Sequence, residues 1–252
     1  MSKMYEGVKT WNPIVGCEFD CKYCIPSFRR QAKRRRPWCE LCYSYKPHFH
    51  PERLKRLPNS RRIFVCAYGD IAWAEYQWVK TVFEVIEKHP DRDFYIQSKN
   101  PSVFVILESE FEIPDNVVLG TTVETDLSTF VHEKYPTYHD ISNAPLPEDR
   151  ITAMKLLKHH RKYITIEPIL DFSTPSHFAR LIKSVEPEFI YVGYDNHNCR
   201  LPEPPLTKTL DLLERLDFTE VRLKTIRKAR FTTEERLDTV SCTFPTEVHE
   251  NG

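Results

Sequence analysis

The sequence predicts an α/β fold in which helices cover a parallel sheet, and three observations lead to this prediction. The chain has 252 residues, enough for one α/β barrel or two small domains with a sizeable core. From residue 60 onward, short β-branched and aromatic runs alternate with helical patterns. Gly16, Gly69 and Gly193 directly follow predicted strands, where such folds place their chemistry. The alternation fits both a closed barrel and an open sheet.

The predicted elements form six or seven β-then-α units. The first strand lies near Lys9–Val15 and the second covers Arg62–Tyr68. The others, in chain order, are a helix Tyr76–Lys88, a strand Asp93–Gln97, a helix Pro101–Ser109, a strand Val117–Val123, a loop Asp126–Pro147, a helix Glu148–His159, a strand Lys162–Glu167, a helix from Ser173 to about Val185, a strand Phe189–Val192, a helix Leu206–Leu216 and a strand Val221–Thr225. The C-terminal Glu234–Gly252 has no clear period, which predicts a tail.

Composition excludes several classes of protein. With 40% hydrophobic and 29% charged residues, the chain is typical of an ordinary globular protein, not of a disordered one. Apolar runs such as Val103–Leu107 are too short to span a bilayer, and the first six residues contain no apolar signal core. We therefore expect a cytoplasmic protein without membrane contact. Eight cysteines in such a chain favour metal or redox chemistry over disulfides.

The net charge of zero hides an asymmetry along the chain. Residues 1–62 carry 15 basic and 5 acidic side chains, whereas the rest carries 21 basic and 31 acidic ones. Such a split predicts either a face that meets an anion or two halves that attract each other.

The segment Cys17–Cys24 contains three cysteines separated by three and then two residues. Three thiolates at this spacing can converge on one iron–sulfur cluster and leave one iron without a protein ligand. An open coordination position is what catalysis at a metal requires. The alternatives are a zinc ion or three unrelated buried cysteines.

This segment resembles the CxxxCxxC loop of the radical S-adenosylmethionine (radical SAM) superfamily, with the aromatic Tyr23 before its last cysteine. More closely, residues 8–195 look like the phage Gp37/Gp68-like (domain of unknown function) branch. The matching pieces are Thr10-Trp11-Asn12-Pro13, His50-Pro51-Glu52-Arg53-Leu54, Ile63-Phe64-Val65 leading to Gly69-Asp70, Ser98-Lys99-Asn100-Pro101, Leu119-Gly120 through Val123-Glu124, Glu167-Pro168 and Val192-Gly193.

The resemblance implies a partial (β/α)6 TIM-like barrel over residues 1–231, with an N-terminal cluster loop, a small Cys/His-containing insertion at 25–60 and a C-terminal tail at 232–252. It also implies that Cys17, Cys21 and Cys24 hold a 4Fe-4S cluster, whose fourth iron is chelated by the amino and carboxylate groups of S-adenosylmethionine (SAM). A flavodoxin- or ferredoxin-like donor would reduce the cluster. SAM would then be cleaved to a 5′-deoxyadenosyl radical that abstracts a hydrogen from an unassigned substrate.

The resemblance also suggests residues that bind SAM. Asp70 would receive the amino group, although the superfamily's usual Gly-Gly-Glu is here Tyr68-Gly69-Asp70. Lys99 would pair with the carboxylate, and spore photoproduct lyase is similar at both points. Thr122 and Glu124 would contact the ribose hydroxyls, and Tyr23 belongs to the same cofactor-binding set. The alternatives are an Asp70 that only caps a helix and a solvated Lys99.

A second constellation consists of Cys39, Cys42, His48 and His50. Its CxxC and nearby histidines have zinc-ligand spacing, and a second iron–sulfur cluster is the alternative. The remaining cysteines stand apart in sequence. Cys66 is predicted to be a small core residue, whereas Cys199 and Cys242 lack sequence partners.

Six cations lie within Arg29–Arg36, directly after the cysteine loop. They form either a solvated helix face or a phosphate-contacting patch, and a second basic strip covers Arg222–Arg230. Aromatic residues at Trp38, Tyr43, Tyr45 and Phe49 could stack on bases. The hypotheses are thus a radical SAM enzyme, with nucleic acid or a nucleotide as one substrate class, and a non-catalytic zinc- or Fe–S-stabilised nucleic-acid-binding module.

Overall fold

The computed structural model describes residues 7–231, and its centre is a sheet of seven parallel strands curled into a half-barrel. The strands are β1 (Val8–Trp11), β2 (Ile14–Val15), β3 (His48–Phe49), β4 (Arg62–Val65), β5 (Asp93–Gln97), β6 (Val117–Thr122), β7 (Lys162–Ile166), β8 (Phe189–Val192) and β9 (Glu220–Leu223). The large sheet has the order β1-β4-β5-β6-β7-β8-β9, while β2 and β3 form a separate antiparallel pair. The predicted α/β class is confirmed. The predicted tail at 232–252 lies outside the described residues.

Helices connect the strands, as the alternation predicts. They are α1 (Arg30–Ala32), α2 (Glu40–Ser44), α3 (Tyr76–Ile86), α4 (Ser102–Glu110), α5 (Pro147–Leu156), α6 (Pro175–Lys183) and α7 (Leu206–Arg215). The start of α6 follows from its cap, because the Thr174 hydroxyl accepts a hydrogen bond from the His177 amide and Pro175 opens the first turn. None of the described helices has the length and apolar character needed to cross a bilayer.

Two predicted strands differ from the observed ones by more than two residues at an end. The strand near Lys9–Val15 is divided into β1 and β2, with Asn12-Pro13 between them, and β2 turns away to pair with β3. A proline cannot donate a ladder hydrogen bond, which explains the break. The strand that begins at Arg62 ends at Val65, because Cys66 adopts a left-handed backbone conformation with φ of 57° and starts a turn.

Alternate strand residues face opposite sides of the sheet. On the helix side, Ile63, Phe94, Leu119 and Ile164 join the main core with apolar residues of α3 to α7, such as Phe83. The residues that follow in each strand point to the inner face of the half-barrel. The residues on this inner face differ from those of the main core, and they determine where a ligand can bind.

The inner face is filled by an aromatic layer near the strand centres. Tyr95, Val118, Tyr163, Phe189 and Tyr191 pack together there, and the rings of Tyr163 and Phe189 stack with centroids 5.1 Å apart. The Tyr163 ring lies over Gly120, where an added Cβ would come within 2.2 Å of it. Closer to the carboxyl ends, the lining becomes polar, so the space above the aromatic layer is a pocket and not a core.

Candidate functional site

A cavity of about 420 Å³ lies at the carboxyl ends of the parallel strands. This is the position of active sites in α/β barrels and sheets, and the volume is in the usual range for small-molecule sites. The predicted residues Cys17, Cys21, Cys24, Asp70 and Lys99 all line it. Tyr23 and Thr122 line it as well. The fold thus brings together residues that are up to a hundred positions apart in sequence.

Two glycines bring the cysteine loop to the end of β4. Gly16 and Gly69 form a parallel bridge, and a Cβ on Gly69 would lie 2.9 Å from the Gly16 nitrogen. The Asp70 amide donates a hydrogen bond to the Gly16 carbonyl at 3.1 Å. Cys17 therefore begins its loop directly beside Asp70. Gly16 has a φ of 98°, a conformation that favours glycine.

The predicted irregular loop Asp126–Pro147 anchors the other end of the cysteine loop. The Lys22 amide donates to the Ile141 carbonyl at 2.9 Å, and the Asn143 amide donates to the Phe19 carbonyl at 2.8 Å. The Cys21 sulfur lies 3.1 Å from the Ser142 hydroxyl oxygen. These contacts fix the backbone of the cysteine loop against the neighbouring loop.

The three thiols share one environment but not one point. A hydrogen bond from Cys24 lowers the pKa of Cys21, whereas burial and the Asp70 carboxylate raise the pKa of Cys17. Among the described residues, the group whose ligand atoms all lie within 4.8 Å of one another is a different one, Cys39, Cys42, His48 and His50. The thiols of Cys17, Cys21 and Cys24 belong to one packed cluster at the cavity wall, and no tighter grouping of their sulfurs is seen among the described residues.

Asp70 is buried and is held in place on both of its oxygens. Its Oδ1 accepts hydrogen bonds from the Ser98 hydroxyl at 2.6 Å and the Ala72 amide at 3.0 Å. Its Oδ2 accepts from the Lys99 amide at 2.8 Å. Burial raises its pKa despite these donors. Asp70 caps a short turn, as the simpler interpretation expects, and also faces the cavity.

Lys99 and Glu124 form the centre of a buried ionic network. The Lys99 ammonium pairs with Glu124 and lies 5.1 Å from the centre of the Tyr23 ring. The Tyr23 hydroxyl donates to Glu124 at 2.6 Å. Burial opposes the ionisation of Glu124, but Lys99 and Arg150 lower its pKa to about 2. Glu124 therefore stays charged, and its carboxylate orients the two side chains that reach the cavity. The contact with a ribose stays a prediction.

Sequence reasoning missed two members of this network. Arg150, which is fully buried, donates to Glu124 at 2.9 Å and to the Thr122 carbonyl at 2.7 Å. The Tyr138 hydroxyl donates to Glu124 at 3.2 Å and also contacts Arg150. An arginine among the charged residues of a helix start carries no sequence signal of burial, so the fold alone reveals it.

The far side of the cavity is also polar. Glu167, Asp195 and Lys224, which follow β7, β8 and β9, line it, and Lys224 pairs with Glu167. Burial raises the pKa of Glu167. None of these three residues was predicted to line the cavity, although functional residues commonly follow the strands of such sheets. The ring of strand ends is therefore charged on two opposite sides.

Cys39, Cys42, His48 and His50 lie together, as their spacing predicts. Their ligand atoms are all within 4.8 Å of one another, and the group could hold a metal ion such as zinc. It lies within the predicted insertion at 25–60, next to the β2–β3 pair. Cys66 is buried in the main core, as predicted, and burial raises its pKa to about 12. Cys242 is outside the described residues.

The basic segment Arg29–Arg36 lies at the surface. Arg29 pairs with Asp20, while the cations at 33–36 are exposed. Arg34 and Arg35 line a second cavity of about 720 Å³ with Arg53, Arg56 and the 75% exposed Trp38. The strip at 222–230 is different, because Arg222, Lys224 and Arg227 pair with Glu220, Glu167 and Glu203, respectively.

Comparison with known proteins adds the family and no activity. A search of curated proteins finds no match. A family described as "Protein of unknown function (DUF5131)" matches residues 2–181. Since this match covers more than half of the sequence, the chain belongs to the DUF5131 family.

Proposed function

We propose that the protein is a radical SAM enzyme that uses a 4Fe-4S cluster held by Cys17, Cys21 and Cys24. One observation carries the proposal: these thiols line the same cavity as Asp70 and Lys99, at the carboxyl ends of parallel strands. When bound, the reduced cluster would supply the electron that cleaves SAM, and the resulting 5′-deoxyadenosyl radical would abstract a substrate hydrogen. The consecutive strand order supports the finer assignment to a partial (β/α)6 TIM-like barrel.

The donor set fits a cluster better than a single ion. Thiolates are soft ligands that favour iron–sulfur or zinc sites. A structural zinc ion is usually closed by four protein ligands, whereas this loop offers three thiols that line a cavity. The chain offers three local thiols and no fourth in the same loop, which leaves one coordination position for a ligand from the cavity.

The cavity also has groups that complement the charges of SAM, which carries an ammonium, a carboxylate and a ribose diol. Asp70 retains acceptor capacity for the ammonium, because a carboxylate offers about four lone-pair sites and three are used. Lys99 has three donors, one of which goes to Glu124, so others remain for the carboxylate. The Thr122 hydroxyl accepts from Gln97 at 2.7 Å and keeps its own proton for the diol.

The substrate would occupy the remaining polar side of the cavity. Glu167, Asp195 and Lys224 offer both signs of charge there. The exposed cations at 33–36 and the exposed Trp38 favour a nucleic acid or nucleotide as the substrate class, because cations bind phosphates and rings stack on bases. A flavodoxin- or ferredoxin-like protein would supply the electron.

The same basic surface favours the second candidate, a non-catalytic nucleic-acid-binding module stabilised by its metals. In that case the protein binds RNA or DNA with a steep salt dependence but leaves SAM intact. Absence of binding at low salt would remove nucleic acid from both hypotheses and leave the enzyme with another substrate class.

The deciding experiment is anaerobic reconstitution of the full chain with iron and sulfide, followed by addition of reductant and SAM. We expect a brown, oxygen-labile protein that produces 5′-deoxyadenosine and methionine. Cys24→Ala should abolish the product, whereas Cys66→Ala, which changes a core cysteine, should retain it. A wild-type protein that takes up no iron, or that binds iron and leaves SAM intact, would refute the enzyme.

A further inference from the structure

We propose that Cys39, Cys42, His48 and His50 form a structural zinc site that fixes the wall of the cavity beside Cys17. The Nε2 atom of His48 lies 3.5 Å from the Cys39 sulfur and 3.3 Å from the Cys42 sulfur. The Nε2 of His50 lies 3.2 Å from the Cys42 sulfur. All four donors thus point at one small volume.

The tautomers of both histidines follow from their outer partners. The Nδ1 of His48 lies 2.7 Å from the Lys46 carbonyl oxygen, which can only accept, so Nδ1 carries the proton. The Nδ1 of His50 donates in the same way to the Glu52 carboxylate at 2.8 Å. In the neutral rings, both Nε2 atoms are therefore lone-pair acceptors.

These two acceptors face each other at 2.8 Å. Neither neutral ring can donate to the other, so the contact is repulsive unless a metal ion or a proton lies between the two nitrogens. Two thiols complete the group, and a thiol loses its proton when it coordinates a metal. Two sulfurs and two imidazole lone pairs directed at one small volume are the donor set of a metal site.

The spacing selects a single ion over a second iron–sulfur cluster. Bond lengths of about 2.3 Å to sulfur and about 2.0 Å to nitrogen give tetrahedral sulfur–nitrogen edges of roughly 3.5 Å. The observed sulfur–nitrogen contacts are 3.2–3.5 Å. Two cysteines and two histidines are a common closed ligand set of structural zinc, whereas cubane clusters mostly use four thiolates.

Outer contacts support the same site. The Cys42 amide donates to the Cys39 sulfur at 3.4 Å, and the Arg53 guanidinium lies 4.0 Å from the Cys42 sulfur. Both contacts offset the negative charge that two thiolates bring. Carbonyl and carboxylate partners of ligating histidines, such as Lys46 and Glu52 here, are usual around bound zinc.

The site connects the insertion to the cavity wall. His48 pairs with Val15 in the β2–β3 ladder, and the Lys46 backbone lies where a Cβ on Gly16 would be. Between these contacts, the Tyr45 carbonyl accepts a hydrogen bond from the Cys17 amide at 3.2 Å, and Tyr45 lines the cavity. A metal that fixes α2 against β3 therefore also fixes the start of the cysteine loop.

The test uses the full chain and measures metal rather than turnover. We expect one zinc per chain in aerobically purified protein, and Co²⁺ in its place should give the d–d and sulfur charge-transfer bands of tetrahedral coordination. Cys42→Ser should lose the zinc, whereas Cys66→Ser, another buried cysteine, should keep it. Hydrogen exchange of the Cys17 amide should be faster after zinc removal, while amides of α5 stay unchanged.

Three results would overturn the proposal: no stoichiometric zinc together with a Co²⁺ spectrum that lacks sulfur ligation, zinc retained in Cys42→Ser, or iron with sulfide that is lost in Cys42→Ser. The cobalt spectrum of the unmutated protein covers the case in which Cys42→Ser does not fold. Failure of the enzyme proposal is distinguishable, because Cys17→Ala should keep the zinc whether or not SAM is cleaved.

Discussion

The two cysteine regions of this molecule use the same residue type in opposite ways. Cys39, Cys42, His48 and His50 bring four donors within 4.8 Å and come from twelve consecutive residues. The other three cysteines line a cavity of about 420 Å³ whose remaining walls come from distant strands. The first group is complete in itself, whereas the second leaves room for another molecule.

The two regions depend on the rest of the fold to different degrees. A closed metal site needs only local chain geometry and outer partners close in sequence, such as Lys46 and Glu52. The open region needs a rigid frame, since most of its walls come from other parts of the chain. Hydrogen bonds between the cysteine loop and Ser142, Asn143 and Tyr45, and the buried Glu124 network behind Lys99, provide that frame.

The largest effect that separates the two regions should come from Cys21→Ala. The substitution removes one thiol of the open region, so we expect iron content and SAM cleavage to fall to background while zinc stays at one per chain. Metal analysis and product analysis check this. The matched control is Cys66→Ala, and equal loss of zinc and iron in Cys21→Ala would show that the regions are not independent.

A large loss of stability should follow from Arg150→Met. The change leaves the fully buried Glu124 with one cation fewer, and breaking a buried ion pair costs about 3–5 kcal/mol. Urea unfolding measures the loss in free energy of unfolding. Arg215→Met breaks an exposed pair with Asp211 and should cost less than about 0.5 kcal/mol. Similar losses in the two variants would contradict the importance of the frame.

A moderate effect is expected from Glu52→Gln at the closed site. The amide still reaches the His50 Nδ1 but no longer carries the charge that strengthens the ligand, so zinc affinity should fall about 10- to 100-fold. Competition with a chromophoric chelator measures the dissociation constant. Glu40→Gln, at an exposed position in α2, serves as the control. Unchanged affinity in Glu52→Gln would mean that the carboxylate does not support the ligand.

A further effect concerns the pH dependence of stability. The pKa of Glu124 is lowered from 4.5 to about 2, so its charge stabilises the fold fully above pH 4.5 and this contribution is lost as the pH falls toward 2. We expect the difference in unfolding free energy between the wild type and Glu124→Gln to shrink over that range. The metal group is the same in both proteins, so its acid response cancels. A constant difference from pH 7 to 2.5 would contradict the assignment.

Much of the fold could be predicted from the sequence. Strands Asp93–Gln97 and Phe189–Val192 are observed with the predicted bounds, because β-branched and aromatic runs end at clear breakers. The helices differ by a few residues at their ends, where propensity is weakest. The split at Asn12-Pro13 required knowledge of what β2 would pair with, which is a property of the fold.

The candidate site also contains residues that the sequence predicted and residues that it did not. Local spacing indicated both cysteine groups, and the family resemblance indicated Asp70 and Lys99. Arg150 and Tyr138 could not be found, because their burial depends on a loop that folds back over Glu124. No periodicity or motif in the sequence indicates that this loop folds back over Glu124. Buried ionic networks of this kind therefore cannot be predicted from the sequence.

The stacked rings of Tyr163 and Phe189 give the cavity a floor. Among residues 7–231, these buried rings close the inner face below the cavity, so a molecule that enters at the carboxyl ends of the strands meets a closed surface there. For a small compound this is no restriction. A long polymer would have to extend one projecting unit to the strand ends. The length of that unit, and not the size of the polymer, would then decide whether it fits the cavity.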